Sequence, residues 1–229
     1  MAVAATHLLT ESSGTGSTSY TTSSISPTAN RLVLVAVRAN NLGSITTPTL
    51  TGASMTWVEV GHVAFATDQA NFTVFRGLSA TPGTGALTID FGLATIQQAH
   101  WSIVEFSGVD LSGTNGSGAV VQFATSFIDG TSNTGITVTL GAFASTNNAT
   151  YGGVGNSGTA NITSGTGFSE LAEDNNNSRT IQTQWKATND TSVDWTAASN
   201  TDFWGALAIE IAAAAGNTVG SRSLLGVGL

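Results

Sequence analysis

The sequence contains no cysteine, a single lysine and few charges of either sign. Six Lys and Arg stand against 14 Asp and Glu, which gives a formal net charge of −8 over 229 residues. Without cysteine there are no disulfide bonds, thiolate zinc sites or cysteine nucleophiles. Because Lys186 is the only lysine and the arginines are scattered, no basic stripe is available to neutralise a nucleic-acid backbone, and the negative charge disfavours anionic membranes.

The chain also lacks an apparent export signal and a membrane-spanning run. Its N-terminus has no basic segment followed by a long apolar one, so we do not expect a secretory signal. The longest apolar runs, 32–37 and 206–215, are too short to span a bilayer or are broken by Glu210. A Thr-, Asn- and Gly-rich surface without an export signal favours a virion protein, assembled in the host cytoplasm and released by lysis. The alternative is an extracellular protein whose signal has been removed.

Strand patterns occur throughout the chain up to residue 212, and no stretch predicts an amphipathic helix. The pattern predicts an all-β fold, an antiparallel β-sandwich of jelly-roll type. The run 32–37 is apolar on both faces, which predicts a central strand covered on both sides. The predicted strands cover residues 3–9, 19–25, 31–39, 54–66, 71–78, 86–91, 100–107, 119–127, 135–140, 149–155, 168–172, 180–187, 191–195 and 204–212.

The same order of sequence features occurs twice, which predicts an internal duplication. The matching pairs are 26–30 with 144–148, 52–59 with 165–172, 75–76 with 185–186, 88–91 with 192–195, and 103–106 with 208–211. The predicted units are a first β-sandwich repeat at 1–110, a linker at 111–117, a second β-sandwich repeat at 118–212 and a flexible C-terminal arm at 213–229. A superposition of the halves should place Phe75 near Trp185 and Glu105 near Glu210.

No catalytic, cofactor or metal site is predicted. His7, His62 and His100 show no metal-ligand spacing, and we interpret the acidic cluster Glu170, Glu173 and Asp174 as a solvated loop because it lacks the calcium-loop pattern. The recurring pairs Glu105 with Glu210 and Arg76 with Lys186 are interpreted as half-buried ion-pair or edge-protecting positions. The protein is therefore predicted not to be an enzyme.

The tail at 216–229 is rich in glycine yet ends in apolar residues. One interpretation is a frayed terminus. The other is an arm that orders against a neighbouring subunit, with Leu224, Leu225, Val227 and Leu229 as the candidate contacts. Both interpretations remain open at the level of the sequence.

The segments 30–37, 55–57, 74–78 and 104–110 together resemble β-sandwich structural proteins of tailed-phage virions. The resemblance implies a capsid decoration or cement protein, ahead of a tail or fibre component. Such a protein would form homo-oligomers and bind capsid or other virion proteins through its termini and a polar, uncharged surface, without nucleic acid or membrane. The alternative is an extracellular carbohydrate-binding or adhesion module that uses exposed tryptophans, although we interpret most of the five tryptophans as core residues.

Overall fold

A computed structural model describes residues 2–215, apart from the side chains of residues 131 and 200–202. The predicted all-β fold is confirmed, since the described chain consists of antiparallel strands and contains no helix. The strands are β1 (Ala4–Ser13), β2 (Ser19–Thr21), β3 (Leu32–Asn40), β4 (Thr49–Gly52), β5 (Val58–Phe65), β6 (Ala70–Gly77), β7 (Leu87–Asp90), β8 (Gln98–Ser107), β9 (Val120–Thr139), β10 (Ala149–Asn156), β11 (Ile162–Ser164), β12 (Ser169–Asp174), β13 (Thr180–Lys186) and β14 (Ser192–Ile211).

Two long strands differ from the sequence prediction, which divided each of them in two. β9 and β14 are 20 residues long and continue from one sheet into another. The glycine and polar residues near the middle of β9 were interpreted as a loop, but they form a bend within the strand, where Gly130 adopts a φ of 77°. The prediction also missed the short strands β4 and β11.

Each half of the chain forms one large and one small sheet. The first large sheet has the order β1-β8-β3-β6-β5, and the first small sheet has the order β2-β7-β4. In the second half, residues 203–211 of β14 pair with β9, and β10, β13 and β12 complete the second large sheet. Residues 192–196 of β14 pair with residues 135–139 of β9 and with β11, which forms the second small sheet. The strand order is thus the same in both halves.

The two large sheets pack face to face, and each small sheet covers the outer side of its large sheet. A central core between the large sheets contains Leu34 and Phe72 from the first half and Tyr151 and Ile209 from the second. Two outer cores fill the space beneath the small sheets. Val35, next to Leu34 in β3, belongs to the first outer core, so the predicted central strand is covered on both faces.

Glycines in β10 allow the large sheets to approach closely. A Cβ atom at Gly153 would lie 2.6 Å from Cζ of Phe72, and one at Gly155 would lie 2.5 Å from Cγ of Arg38. Both partner side chains are buried. A larger residue at either position therefore forces the central core apart, since close-packed interiors have little room for additional atoms.

Two buried glutamates, Glu105 of β8 and Glu210 of β14, occupy similar surroundings in the two halves. Glu105 accepts hydrogen bonds from the backbone of Thr28 and from Arg31, while Glu210 accepts them from the backbone of Ala144 and from Asn148. Each carboxylate thus fixes the segment that precedes the central strand of its sheet. The expected ion pairs are confirmed for Glu105, which pairs with partly exposed Arg31 at 2.7 Å, and for Lys186, which pairs with Asp190 at 2.7 Å. The expected edge position was wrong for the two glutamates, since both are buried on interior strands.

The aromatic pair of the predicted superposition, Phe75 with Trp185, is out of register. Phe75 and Trp185 lie on strands of corresponding order, β6 and β13. However, Phe75 belongs to the first outer core, whereas Trp185 packs against the central core. The two side chains point to opposite faces because a shift of one residue reverses the direction of every side chain in a strand.

We expect Gly153→Ala to destabilise the protein by about 1–3 kcal/mol, because the new methyl group overpacks the central core against Phe72. Chemical denaturation followed by tryptophan fluorescence measures the change. Gly43→Ala is the matched control, since no atom lies within 4 Å of its new methyl group. Equal stability of the two variants would contradict the close approach of the sheets.

Candidate functional site

The three histidines lie on three different strands, and the described residues include no group of three or more His, Asp or Glu side chains that could hold a metal ion. His7 and His62 are exposed on β1 and β5. His100 is buried between the large sheets, where its Nδ1 lies 3.2 Å from Oδ2 of Asp174. The histidine and the carboxylate thus form a pair that links the two halves.

The acidic cluster forms part of strand β12, and the expected solvated loop was wrong for two of its three members. Asp174 is buried against His100. Glu173 accepts a hydrogen bond from the backbone of Ile162 at 2.6 Å, and burial raises the pKa of its carboxyl group. Glu170 is exposed. These carboxylates stabilise the position of β12 at the sheet edge.

None of the five tryptophans is an exposed platform. Trp101, Trp195 and Trp204 are buried, and Trp57 and Trp185 are partly buried against the outer and central cores. The indole of Trp195, for example, donates a hydrogen bond to Gln182 Oε1 at 2.7 Å inside the protein. A sugar cannot stack on a ring that neighbouring side chains already cover.

The outer edge of β9 exposes three large apolar side chains of a single strand. β9 lies at the edge of the second large sheet, and within residues 2–215 it pairs only with β14. Its pairing is regular from Gln122 to Asp129. The side chains of Val121, Phe123 and Phe127 are 44%, 47% and 57% exposed, respectively. Regular edges of this kind recruit a further strand because their outward backbone groups are unpaired, although the Phe123 ring also lies against Gly61 of β5.

The corresponding edge of the first half, β1, is built differently. Its pairing with β8 is interrupted by a bulge between His7 and Leu9, and polar residues such as Thr6 face the solvent. Bulges and polar side chains protect an edge strand from association. The contrast indicates that the apolar edge of β9 is a specific feature of the second half.

The predicted subunit contacts Leu224, Leu225, Val227 and Leu229 lie outside the described residues. The described chain ends close to β9. Ile211 pairs with Val120, the first residue of β9, and Ala213 forms a bridge with Val109. The backbone of Ala214 then donates to the carbonyl of Gly108 at 2.8 Å.

The structure also brings together two arginines that the sequence analysis treated as scattered. Arg38, near the end of β3, and Arg179, before β13, both line a cleft where the two halves meet. We call this the arginine cleft. The sequence held one indication of this cleft: Arg38 follows directly after the run 32–37, which is apolar on both faces, and this position places its charge near the protein interior.

Comparisons with protein-family models, with curated proteins and with solved structures give no match. Within the described residues, no helix has the length and hydrophobicity needed to cross a membrane.

We expect the buried His100 to make the protein sensitive to acid. Burial, together with the positive charges of Arg38 and Arg179, lowers the pKa of His100 to about 4, although Asp174 opposes the shift. Because the unfolded chain takes up this proton near pH 6.5, the stability contribution is complete above that pH and is lost as the pH falls towards 4. The loss due to His100 reaches about 3 kcal/mol at pH 4.

Urea denaturation of the protein and of His100→Gln between pH 4 and 7 measures this effect. The slope of stability against pH should flatten in the variant. His62→Gln serves as the control for loss of a histidine at an exposed position. Parallel profiles for the protein and His100→Gln would show that His100 does not contribute.

Proposed function

We propose that the protein is a structural protein of a virus particle, of the capsid decoration or cement type, which joins its neighbours at the open edge of β9. The observation that carries the proposal is the regular, apolar edge formed by Val121, Phe123 and Phe127. An isolated protein gains nothing from such an edge and risks aggregation. A protein that works in a repeated assembly uses it to bind the next subunit.

The occupant that we propose for this edge is the C-terminal arm of a neighbouring copy. Leu225, Val227 and Leu229 alternate with other residues along the arm. This period of two is that of a strand, and it matches the alternation of Phe123 and Phe127 on β9. An added strand would pair with the free backbone groups of β9 and lay its apolar side chains beside the two phenyl rings.

The close connection between the halves supports a structural role. We infer that the chain arose by duplication of a jelly-roll-like unit, because the strand order of the large and small sheets is the same in both halves. Contacts between the halves are also reciprocal: β1 contacts β12, and β5 contacts β9. In the shared strand order, β1 corresponds to β9 and β5 to β12. A two-fold rotation that superposes the halves would therefore convert the contact of β1 with β12 into the contact of β9 with β5. Such packing yields one compact block, which supports a structural role.

The alternative of an adhesion module with exposed tryptophan platforms has less support. All five tryptophans are at least partly buried, so that mode of sugar binding lacks its surface. A structural role in a virus particle does not require an exposed tryptophan ring. Detection of the protein in purified virus particles by mass spectrometry, together with a coding gene among capsid genes, would test the virion role directly.

We expect deletion of residues 221–229 to leave folding stability unchanged and to reduce self-association at least tenfold. The removed segment includes the four candidate contacts, each of which contributes up to about 1.5–3 kcal/mol when buried, before the cost of ordering a glycine-rich chain. Sedimentation equilibrium over a range of concentrations measures the association, and thermal unfolding measures stability. If the truncated chain associates as strongly as the full-length protein, the C-terminal arm does not mediate self-association.

The receiving edge is tested separately with Phe127→Lys. A lysine on an edge strand disfavours strand addition, so self-association should fall to the level of the truncated protein. Leu93→Lys is the matched control, because Leu93 is fully exposed and lies outside the edge. If both lysine variants weaken association equally, the site of contact lies elsewhere.

A further inference from the structure

The guanidinium of Arg38 is buried without a carboxylate partner among the described residues. Its side chain is 1% exposed, and its Nε has no hydrogen-bond partner. One terminal nitrogen donates to Asn40 Oδ1, and the group lies 5.9 Å from the ring centre of Phe65. These neutral neighbours do not neutralise a charge that arginine keeps at any physiological pH.

A second arginine, Arg179, adds to the positive charge near Arg38. Arg179 is close enough to Arg38 that its charge, together with the dominant effect of burial, lowers the pKa of Arg38. The nitrogen Nε of Arg179 also lacks a partner, while a terminal nitrogen donates to the carbonyls of Ser157 and Ser178. Asp174, the buried carboxylate nearby, is already engaged by His100 and Asn176. Burying Arg38 beside the partly exposed Arg179 is costly unless an anion joins the two cations.

The arginine cleft provides the space for such an anion. It has a volume of about 360 Å³, and none of the described residues that line it is acidic. Arg38, Asn40, Gln69 and Gln97 form the wall from the first half, and Arg179 and Phe203 belong to the wall from the second. The wall is held in place by backbone hydrogen bonds, from Asn41 to Gln69 at 2.8 Å and from Gln97 to Asn40 at 3.0 Å.

We propose that the arginine cleft binds a small acidic saccharide through its carboxylate. A planar guanidinium can donate two parallel hydrogen bonds to a carboxylate, and a carboxylate in the cleft would supply the counter-charge that Arg38 and Arg179 lack. The amide side chains of Asn40, Gln69 and Gln97 offer the mixture of donors and acceptors that sugar hydroxyl groups require. Partly buried Phe203 supplies an apolar surface for the sugar ring. None of the described residues that line the cleft belongs to β9.

Isothermal titration of the full-length protein with glucuronate, glucose and inorganic phosphate tests the proposal. Glucuronate should bind, and more weakly at high salt because the contact is ionic. Glucose lacks the carboxylate and should bind at least tenfold more weakly. Phosphate carries the charge without the hydroxyl-bearing ring and should also bind more weakly than glucuronate. Equal binding of glucuronate and glucose, or of glucuronate and phosphate, would overturn the proposal.

Variants identify the site and check the charge imbalance. Arg38→Met should abolish glucuronate binding, and Arg38→Lys, which keeps the charge but loses the planar pair of donors, should weaken it at least tenfold. Arg76→Met is the matched control, since Arg76 is a partly buried strand arginine that does not line the cleft. Without ligand, Arg38→Met should melt at the same or a higher temperature, because it removes an uncompensated buried charge.

Two results would count against the site. A large fall in melting temperature for Arg38→Met without ligand would mean that the chain itself neutralises Arg38. Since that variant can also fail to fold, Arg179→Met provides a second measurement at a partly exposed position. Binding of glucuronate that survives Arg179→Met unchanged would place the ligand outside the arginine cleft.

Discussion

The apolar layer between the two large sheets is the constraint on which the rest of the structure depends. Leu34 and Phe72 from one half meet Tyr151 and Ile209 from the other, and all four are fully buried. Each half therefore exposes a large apolar face if it stands alone. The burial of these faces makes the two halves one cooperative unit, since neither can bury enough surface by itself.

This layer also explains why polar groups are found deep inside the protein. Its apolar part does not extend over the whole interface, and towards one end Arg38, His100 and Ser102 face the second half. Ser102 and Thr183 exchange a hydrogen bond at 3.0 Å, and His100 meets Asp174. Other buried polar atoms of this region, such as Nε2 of His100 and the hydroxyl of Tyr151, also lack a hydrogen-bond partner, but Arg38 is the buried cation that meets no carboxylate among the described residues. A buried cation without a counter-ion, beside an open cleft, suits an anionic ligand.

The two halves share their strand order but differ at their edges, and function is expected where they differ. The first edge, β1, carries a bulge and polar side chains. The second edge, β9, is regular and exposes Phe123 and Phe127. A pair of identical halves would offer two equivalent edges and an uncontrolled series of contacts. The difference between β1 and β9 restricts strand addition at this pair of edges to β9, which fits the proposed attachment within a particle.

The sequence by itself determined the all-β fold, the central position of β3 and the absence of cysteine chemistry. These properties follow from composition and from the period-two alternation, which are local. Tertiary structure decided the continuity of β9 and β14, the register that separates Phe75 from Trp185, and the meeting of Arg38 with Arg179. Strand order and register depend on pairing between distant residues, and a shift of one position reverses the side-chain pattern, so no local pattern contains that information.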